Sequence, residues 1–423
     1  MILRNLSFKE SDEWSWITVQ IAEGHFDGKE MYFRVPCAFK DYLCKDRYDA
    51  FLVGLIWPAM KYGEDIIIEG TVSHRLLFNM RNYIQFLLQE FAPKAELKRI
   101  KIQSDIAPEL KTRNNMVGTA FSGGVDSFCT IYDHFELEND EEYKINCLLF
   151  QNVGAHGSYE DTRTFPLFIE RFKSFSQYPQ EVHLPFIMED SNVQMFLSEW
   201  MPKALTQTYS LNMIAGILAL QGEIRKYYIS SSQSYTENLF FGRFYINTML
   251  DESYEPVLIP LLCTDLIEII SDGVQYRRTE KTVRILDYKP IQKYLNVCCN
   301  RRPENVKNCS YCTKCCRTLW TLESADKLEL VKTQFDLNIW KKEEFRYKCR
   351  QRLISGKDNF AIDNIDFARK NGKSVPTYIQ AFIVCMPDML FKFGKNVLRL
   401  FLSQKKYQNI KAWAYKYLKL REF

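Results

Sequence analysis

The sequence predicts an α/β protein that is built on a doubly wound parallel sheet. Two observations lead to this fold class: apolar strand-like segments alternate with helix-like segments from Met116 onwards, and a Gly-rich turn joins the first of these strands to a helix. Apolar strands connected by helices are typical of a parallel sheet with helices on both faces. A ligand of such a sheet binds beyond the carboxyl ends of its strands.

The chain has 423 residues, of which 46% are hydrophobic and 26% charged. This composition is typical of a folded protein of two or three domains and argues against disorder. Lys and Arg number 56 against 52 Asp and Glu, so the net charge does not indicate a nucleic-acid or membrane partner. The N-terminal segment lacks the continuous apolar stretch of a secretory signal. We therefore expect a cytoplasmic protein with no membrane partner.

The pattern divides the chain into three predicted regions. Residues 1–112 form a small α+β domain without recognisable catalytic residues, residues 113–328 form the doubly wound α/β domain, and residues 329–423 form a helical, basic region. The segments predicted as strands are 16–21, 31–35, 66–69, 97–102, 117–121, 146–150, 181–186, 227–230 and 266–270, and those predicted as helices are 49–62, 76–91, 126–135, 162–174 and 204–222.

The chain ends in a basic, aromatic segment. From Leu390 to Phe423, nine Lys and Arg residues are interleaved with aromatic residues and accompany a single acid, Glu422. Such a segment can bind phosphates and stack on bases, or it can form an amphipathic helix that packs on the core with its lysines in water. A nucleic-acid partner is therefore one of two interpretations of this segment.

A Gly-rich turn follows the first strand of the α/β domain, where residues 120–128 read Ala-Phe-Ser-Gly-Gly-Val-Asp-Ser-Phe. Two glycines allow a tight turn that exposes backbone N–H groups, and the N-terminus of the following helix adds positive partial charge. The turn lacks the Gly-Lys-Ser/Thr ending of kinase and GTPase loops. The residues predicted to hold a pyrophosphate group are Ser122, Gly123, Gly124, Val125, Asp126 and Ser127.

Six of the 13 cysteines lie between residues 298 and 316, a distribution that indicates a metal site rather than a disulfide framework. A C-x-x-C-x-x-C pattern brings three thiolates to one side of a tight loop, and the pair at 298–299 can supply a fourth. Four thiolates around Zn²⁺ form a closed, structural site, and an iron–sulfur cluster is the chemical alternative. The predicted ligands are Cys309, Cys312 and Cys315, with Cys298 or Cys299.

The Ser-Gly-Gly-x-Asp-Ser motif after the first strand resembles that of the PP-loop ATP pyrophosphatases, which have a HUP-like fold. The order of the loop and the cysteines is similar to that in 7-cyano-7-deazaguanine synthase, over about residues 116–322. The resemblance implies the zinc ligands Cys298, Cys309, Cys312 and Cys315, in a zinc loop at 298–316 where Cys299 or Cys316 can replace a neighbour. Residues 278–282, Arg-Thr-Glu-Lys-Thr, look like the family's short Leu-Thr-Lys-x-Glu segment. Lys281 is then a candidate to neutralise phosphate charge, with a solvated helix lysine as the alternative.

The resemblance implies an ATP-dependent carbon–nitrogen ligase. It would use Mg²⁺ and cleave ATP between the α and β phosphates, with AMP transiently attached to a substrate carboxylate such as 7-carboxy-7-deazaguanine, and with Asp126 and Lys281 as the catalytic residues. The leading domain and the ending of the cysteine loop look closer to longer synthase-like proteins of bacterial glycan-associated and anti-phage defence operons than to the synthase itself. The amine acceptor is then ammonia or a protein from the same operon. A tRNA-thiolating enzyme and a non-catalytic nucleotide-binding scaffold are the alternatives.

Several other polar residues are expected near the carboxyl ends of the strands. His156 follows the second strand of the α/β domain, where it either contacts the substrate or has no role. Glu189, Asp190 and Glu237 either contact magnesium or substrate or are solvated loop carboxylates. Residues 229–238, Ile-Ser-Ser-Ser-Gln-Ser-Tyr-Thr-Glu-Asn, depart from the substrate-recognition segment of the synthase, so we expect substrate choice to differ there.

Overall fold

The structure is a computed structural model, and it describes residues 1–108, 115–200, 205–237, 255–299 and 308–401, without the side chains of 198–200, 205–207 and 391–401. The chain forms two compact units, Met1–Asn308 and Cys309–Phe423. The predicted domain bounds of 1–112, 113–328 and 329–423 stay a prediction.

A ten-stranded sheet runs through the described part of the first unit. Its strands are β1 (Ile2–Glu10), β2 (Trp14–Ala22), β3 (Glu30–Pro36), β4 (Ile66–Val72), β5 (Ile102–Ile106), β6 (Met116–Ala120), β7 (Cys147–Asn152), β8 (Phe186–Ser191), β9 (Ile224–Ser230) and β10 (Glu268–Asp272). The strand order is β10-β9-β6-β7-β8-β3-β2-β1-β4-β5. The pairs β8–β3, β3–β2 and β2–β1 are antiparallel and the other pairs are parallel.

The predicted α/β class with a mostly parallel sheet is confirmed. In the parallel half of the sheet, β6 lies in the middle, the next two strands of the chain lie on one side of it and the last two on the other. This reversal of strand order is the feature that creates a ligand crevice at the carboxyl ends of the strands. The turn that follows β6 lies at this reversal.

Helices and shorter turns connect the strands of the first unit. The helices are α1 (Asp49–Tyr62), α2 (His74–Asn79), α3 (Gln85–Phe91), α4 (Val125–Ile131), α5 (Thr164–Phe175), α6 (Gln177–Glu181), α7 (Leu205–Ala219), α8 (Glu255–Leu258), α9 (Arg278–Arg284) and α10 (Ile291–Tyr294). The π-helical segments Met80–Ile84 and Tyr132–Glu136 continue α2 and α4. The 3₁₀ segments are Cys37–Tyr42, Pro93–Ala95, Val193–Trp200, Ile259–Leu262 and Ile285–Asp287.

The strands on both sides of the predicted bound at residue 112 share this sheet, a feature that the sequence analysis did not predict. The link is the antiparallel pair β3–β8, in which Arg34 lies opposite Asp190. The two side chains also form an ion pair, with 2.7 Å between the guanidinium and the carboxylate. One apolar core, which includes Phe33, Phe51 and Ile187, lies beneath both parts of the sheet.

Two predicted strands are wrong in position, and one strand was missed. The apolar residues 97–101 are irregular, with Leu97 and Ile100 buried, and β5 begins only at Ile102. Burial of loop side chains therefore produced the apolar pattern there. The strand predicted at 181–186 lies at Phe186–Ser191 instead, because its polar second half is buried. The missed strand is β1.

The described part of the second unit is helical. Its helices are α11 (Thr313–Ser324), α12 (Leu337–Ile354), α13 (Asn359–Lys370) and α14 (Tyr378–Phe401), with a 3₁₀ turn at Leu328–Val331. Asp336 caps α12 by accepting hydrogen bonds from the N–H groups of Asn338 and Ile339. None of the helices described in this chain is both long and apolar enough to span a bilayer. Most of the basic segment 390–423 lies outside the described residues. Its two interpretations, binding of phosphates and bases or packing as an amphipathic helix, therefore stay predictions.

Candidate functional site

The turn between β6 and α4 depends on a glycine at position 123. Gly123 has φ +69°, a left-handed conformation that favours glycine. A Cβ atom there would lie 3.0 Å from Cε1 of Phe175, so a side chain would also be crowded. The Gly123 carbonyl accepts a hydrogen bond from the Asn296 N–H at 2.7 Å, and the Phe121 N–H donates to the Leu149 carbonyl at 2.9 Å. The turn is therefore held by neighbours before and after it.

The structure brings the six residues predicted to bind pyrophosphate into one turn at the start of α4. Within it, the hydroxyls of Ser122 and Ser127 lie 3.4 Å apart. Ser127 is buried, and its hydroxyl donates to the Gly124 carbonyl at 3.2 Å. The two hydroxyls are thus held close together beside the glycines. Their role in binding pyrophosphate stays a prediction.

Two cations from α9 meet the carboxylate of Asp126. The guanidinium of Arg278 forms an ion pair with Asp126 Oδ2, and Lys281 Nζ lies 3.7 Å from Oδ1. The spacing of three residues places both cations on one face of the helix. Lys281 also donates to the Ser231 carbonyl at 2.6 Å, and its side chain is 1% exposed. The solvated-lysine alternative is therefore wrong.

Arg278 belongs to the family-like segment at 278–282, but the sequence pattern indicated no role for it. Its ion pair joins residues 152 positions apart in the chain, so local sequence does not show it. The one available signal was the spacing of Arg278 and Lys281, which places two cations on one helical face.

The segment after β9 that departs from the synthase sequence, here called the departing segment, lies beside this ion cluster. The Ser231 N–H donates to the Asp272 carbonyl at 2.9 Å, which joins this segment to the end of β10. The Ser234 N–H donates to the Glu237 carboxylate at 2.6 Å, and the Glu237 N–H donates to the Ser234 hydroxyl at 3.3 Å. This reciprocal pair is a capping box. Glu237 is buried, so its interpretation as a solvated carboxylate is wrong.

A buried network that the sequence analysis missed ties β10 to α4. The carboxylate of Asp272 accepts hydrogen bonds from the Thr130 hydroxyl at 2.6 Å and contacts His134 Nε2 at 2.8 Å. Burial opposes ionisation of Asp272, but these hydrogen bonds outweigh it and hold the pKa below its ordinary value. His134 in turn stacks on Tyr228, with 4.0 Å between the ring centroids. The network fixes α4, and with it the turn, against the sheet.

The other polar residues predicted near the strand ends are buried. Asp190 accepts hydrogen bonds from Arg34 at 2.7 Å and Asn152 at 2.6 Å, and Glu189 accepts one from Gln151 at 2.7 Å. The interpretation of these two acids as solvated loop residues is wrong, because both belong to β8 and are almost inaccessible. His156 is also buried, with ring centroids 5.0 Å from Phe150 and 5.2 Å from Phe168.

Glu189 is expected to make the stability of the protein depend on pH. Complete burial raises the pKa of this carboxyl to about 8, with a smaller opposing effect of the Gln151 hydrogen bond. The folded protein therefore keeps a proton on Glu189 between about pH 5 and 8, where the unfolded chain has lost it. The free energy of unfolding falls as the pH rises through this window, by about 1.4 kcal/mol per pH unit.

Urea unfolding at several pH values tests this prediction. Glu189→Gln should flatten the slope between pH 5 and 8 and make the protein more stable than the wild type at pH 8. The control is Glu13→Gln, at an exposed position, which should keep the wild-type slope. A Glu189→Gln protein with an unchanged slope would refute the assignment.

The cysteine loop brings the predicted ligands together. Cys315 Sγ lies 3.8 Å from Cys309 Sγ and 3.4 Å from Cys312 Sγ. With Cys298 included, the four sulfur atoms lie within 4.8 Å of one another. Four thiolates at zinc–sulfur distances of about 2.3 Å in a tetrahedron are separated by about 3.8 Å, so this arrangement fits a metal ion. The cluster could therefore hold an ion such as zinc.

The local fold around these cysteines explains how they converge. Cys312 precedes α11, so the helix begins inside the motif, and the Cys312 N–H points to Cys309 Sγ at 3.3 Å. Between them, Ser310 has φ +63° and its hydroxyl accepts a hydrogen bond from the Asp336 N–H at 2.8 Å. None of the cysteines in the described part of the chain forms a disulfide, and neither Cys299 nor Cys316 belongs to the four-sulfur group.

Comparisons of the chain with protein-family models, with curated proteins and with solved structures found no match. The resemblance to PP-loop ATP pyrophosphatases therefore stays a prediction from the motifs.

Proposed function

We propose that the protein is a ligase that adenylates a carboxylate with ATP, releases pyrophosphate and couples the activated acid to an amine. The observation that carries this proposal is the convergence of Lys281 and Arg278 on Asp126, directly after the Ser-Gly-Gly turn. A turn with two hydroxyls and two buried cations matches the charge of a pyrophosphate leaving group. Its place at the reversal of strand order is where such a sheet binds ligands.

In the proposed reaction, a carboxylate oxygen attacks the α phosphorus of ATP. The bond between the α phosphorus and the bridging oxygen breaks, and pyrophosphate leaves with that electron pair. Lys281, Arg278 and the N–H groups of the turn stabilise the charge that develops on the leaving group. An amine then attacks the acyl carbon and loses a proton, and AMP leaves. Mg²⁺, when bound, would neutralise phosphate charge, with Asp126 as the residue that positions it or the turn.

The acid in this proposal is 7-carboxy-7-deazaguanine or a similar planar carboxylate, as the resemblance implies. The departing segment at 231–237 lies beside Lys281 through the Ser231 carbonyl. It is therefore in a position to contact a substrate at the turn. The proposed amine is ammonia or an amine of a protein from the same operon.

Zinc is the proposed occupant of the cysteine cluster, with a structural role. Cys298, Cys309, Cys312 and Cys315 would hold it, and four thiolates leave no open coordination position for water. Zinc would then cross-link the cysteine loop and take no part in the reaction at the turn.

Mass spectrometry of the products tests the function. The protein is incubated with ATP, Mg²⁺, 7-carboxy-7-deazaguanine and either ammonia or a protein from its own operon. We expect AMP together with an amide of the acid, or with a nitrile where a second ATP adenylates the amide oxygen and AMP leaves with it, or AMP together with a mass increase on the protein acceptor. Asp126→Asn should lower the rate of AMP formation at least about 100-fold, since it removes a charge at the centre of the ion cluster.

Omission of the acid is the control, because AMP formed without it reports a contaminating hydrolase. If the wild type forms no AMP with either amine, the proposed acid is wrong. If the wild type also fails to bind MgATP in calorimetry, the assignment of the turn as a nucleotide site is wrong as well.

A further inference from the structure

We infer that Arg278 is a phosphate-binding residue of this site, and that Asp126 positions it. The inference rests on the proposed function, which supplies the phosphate ligand. It extends that function by giving a role to a residue that the motifs do not assign.

The ion cluster at the turn contains more positive than negative groups. Arg278 and Lys281 are both almost inaccessible to solvent, and they share the single carboxylate of Asp126. Of two other acids on the neighbouring elements, Asp133 pairs with Arg284 at 2.6 Å, whereas Asp272 bonds to the Thr130 hydroxyl and to His134 and forms no ion pair with Arg278 or Lys281 within the described residues. The three groups at the turn therefore carry a net charge of +1. Within the described residues, one of the two buried cations therefore lacks a carboxylate of its own, which is a costly arrangement, and a phosphate group would supply the missing anion.

Arg278 has unused hydrogen-bonding capacity. Its Nε atom is buried and makes no hydrogen bond within the described residues. The guanidinium presents five N–H groups in a planar fork that fits two phosphate oxygens at once. Asp126 occupies one terminal nitrogen and so fixes the orientation of the fork beside the turn.

Arg278 is better placed to bind phosphate at the turn than Arg284, the other arginine of the same helix. Arg284 pairs with Asp133, in the π-helical segment that follows α4. Both arginines thus join α9 to the α4 region by an ion pair. Only the partner of Arg278, Asp126, lies within the predicted phosphate-binding residues. Arg284 is therefore a matched control, since its removal breaks a similar helix-to-helix ion pair away from the turn.

Isothermal titration calorimetry with MgATP and, separately, with inorganic pyrophosphate tests the inference. Arg278→Gln should weaken the binding of both ligands by about 10- to 100-fold, as expected for the loss of a charge-assisted bidentate contact. Arg278→Lys keeps the charge without the fork, and it should show an intermediate loss. Arg284→Gln should bind both ligands within threefold of the wild type. Thermal unfolding of each variant confirms that the binding measurements are made on folded protein.

The outcomes separate this inference from the proposed function. If the wild type binds MgATP and Arg278→Gln binds it equally well, the inference is overturned and the function is untouched. If Arg284→Gln loses as much affinity as Arg278→Gln, the inference is also overturned, because the loss then comes from the helix pairing. If pyrophosphate binding depends on Arg278 but no AMP is formed, the inference stands and the function fails. A wild type that binds neither ligand overturns both.

Discussion

Cys312→Ser is expected to abolish metal binding at the cysteine cluster and to destabilise the second unit. The substitution removes one of the thiolates that converge in the four-sulfur group, and a hydroxyl is a poor replacement for a thiolate at Zn²⁺. Structural zinc contributes its binding free energy to folding, about 10–16 kcal/mol in small zinc domains. We expect a loss of several kcal/mol, which lowers the unfolding midpoint by at least about 10 °C in a domain of this size. Elemental analysis of the purified protein and thermal unfolding measure the two effects.

The spare cysteines provide the controls. Cys316→Ser alters a buried thiol next to Cys315, and Cys299→Ser alters an exposed thiol next to Cys298. Neither thiol lies in the four-sulfur group, so both variants should keep one metal ion per chain, whereas Cys298→Ser should lose it. Metal retained by Cys312→Ser, or lost by Cys299→Ser, would contradict the ligand assignment. Iron with visible absorbance in place of zinc would establish the iron–sulfur alternative.

Local sequence patterns were sufficient to predict the elements whose structure depends mainly on their own residues. The helix predicted at 49–62 has these bounds in the structure, and it ends at Gly63, which is left-handed with φ +74°. The turn at 122–127 was predicted because both its glycines and its position between a strand and a helix are visible in sequence. The cysteine pattern is local in the same way, since three of its four thiols lie within seven residues.

Polar residues in β8 show where local patterns fail. Glu189 and Asp190 were interpreted as loop or ligand-contacting residues because isolated carboxylates are rarely buried. In the structure Asp190 is buried against Arg34, 156 residues earlier in the chain. The ion pair that compensates for the burial of Asp190 is a tertiary contact, which a local pattern does not show. The polar half of β8 was therefore not recognised as a strand, and β8 was predicted five residues too early. The joining of β3 to β8 escaped prediction for the same reason.

The candidate site was predictable only in part, because its two halves come from distant segments. The turn and Asp126 belong to the β6–α4 connection, whereas Arg278 and Lys281 belong to α9. A family-like segment indicated Lys281, but the pairing of both cations with one carboxylate is a property of the folded chain. The Asp272 network has the same origin, since it joins residues 138 positions apart. Sequence therefore identified the turn, Asp126 and Lys281, and the fold supplied Arg278 and the pairing of the charges.

Lys281→Met is expected to abolish most of the AMP formation while the protein stays folded. Lys281 Nζ is the buried cation between Asp126 and the Ser231 carbonyl, and methionine has nearly the same length without the charge. Loss of one preorganised electrostatic contact to a developing charge lowers kcat about 100- to 1,000-fold. The loss of stability should be small, because Asp126 keeps Arg278 as a partner and no buried carboxylate is left without a cation. Rapid-quench measurement of AMP formation, with thermal unfolding beside it, gives both quantities.

Lys226→Met separates a role at the turn from the general effect of removing a buried lysine. Lys226 is equally inaccessible, but it lies on β9 and pairs with Glu268 at 2.5 Å. This variant should form AMP at the wild-type rate. If both variants lose activity, the loss follows from removal of a buried cation and says nothing about phosphate. If neither does, Lys281 has no part in the chemistry. Only a loss of AMP formation that is confined to Lys281→Met would show that the Lys281 charge takes part in the reaction. The comparison is informative because Lys281 contacts Asp126 at the turn, whereas Lys226 pairs with Glu268.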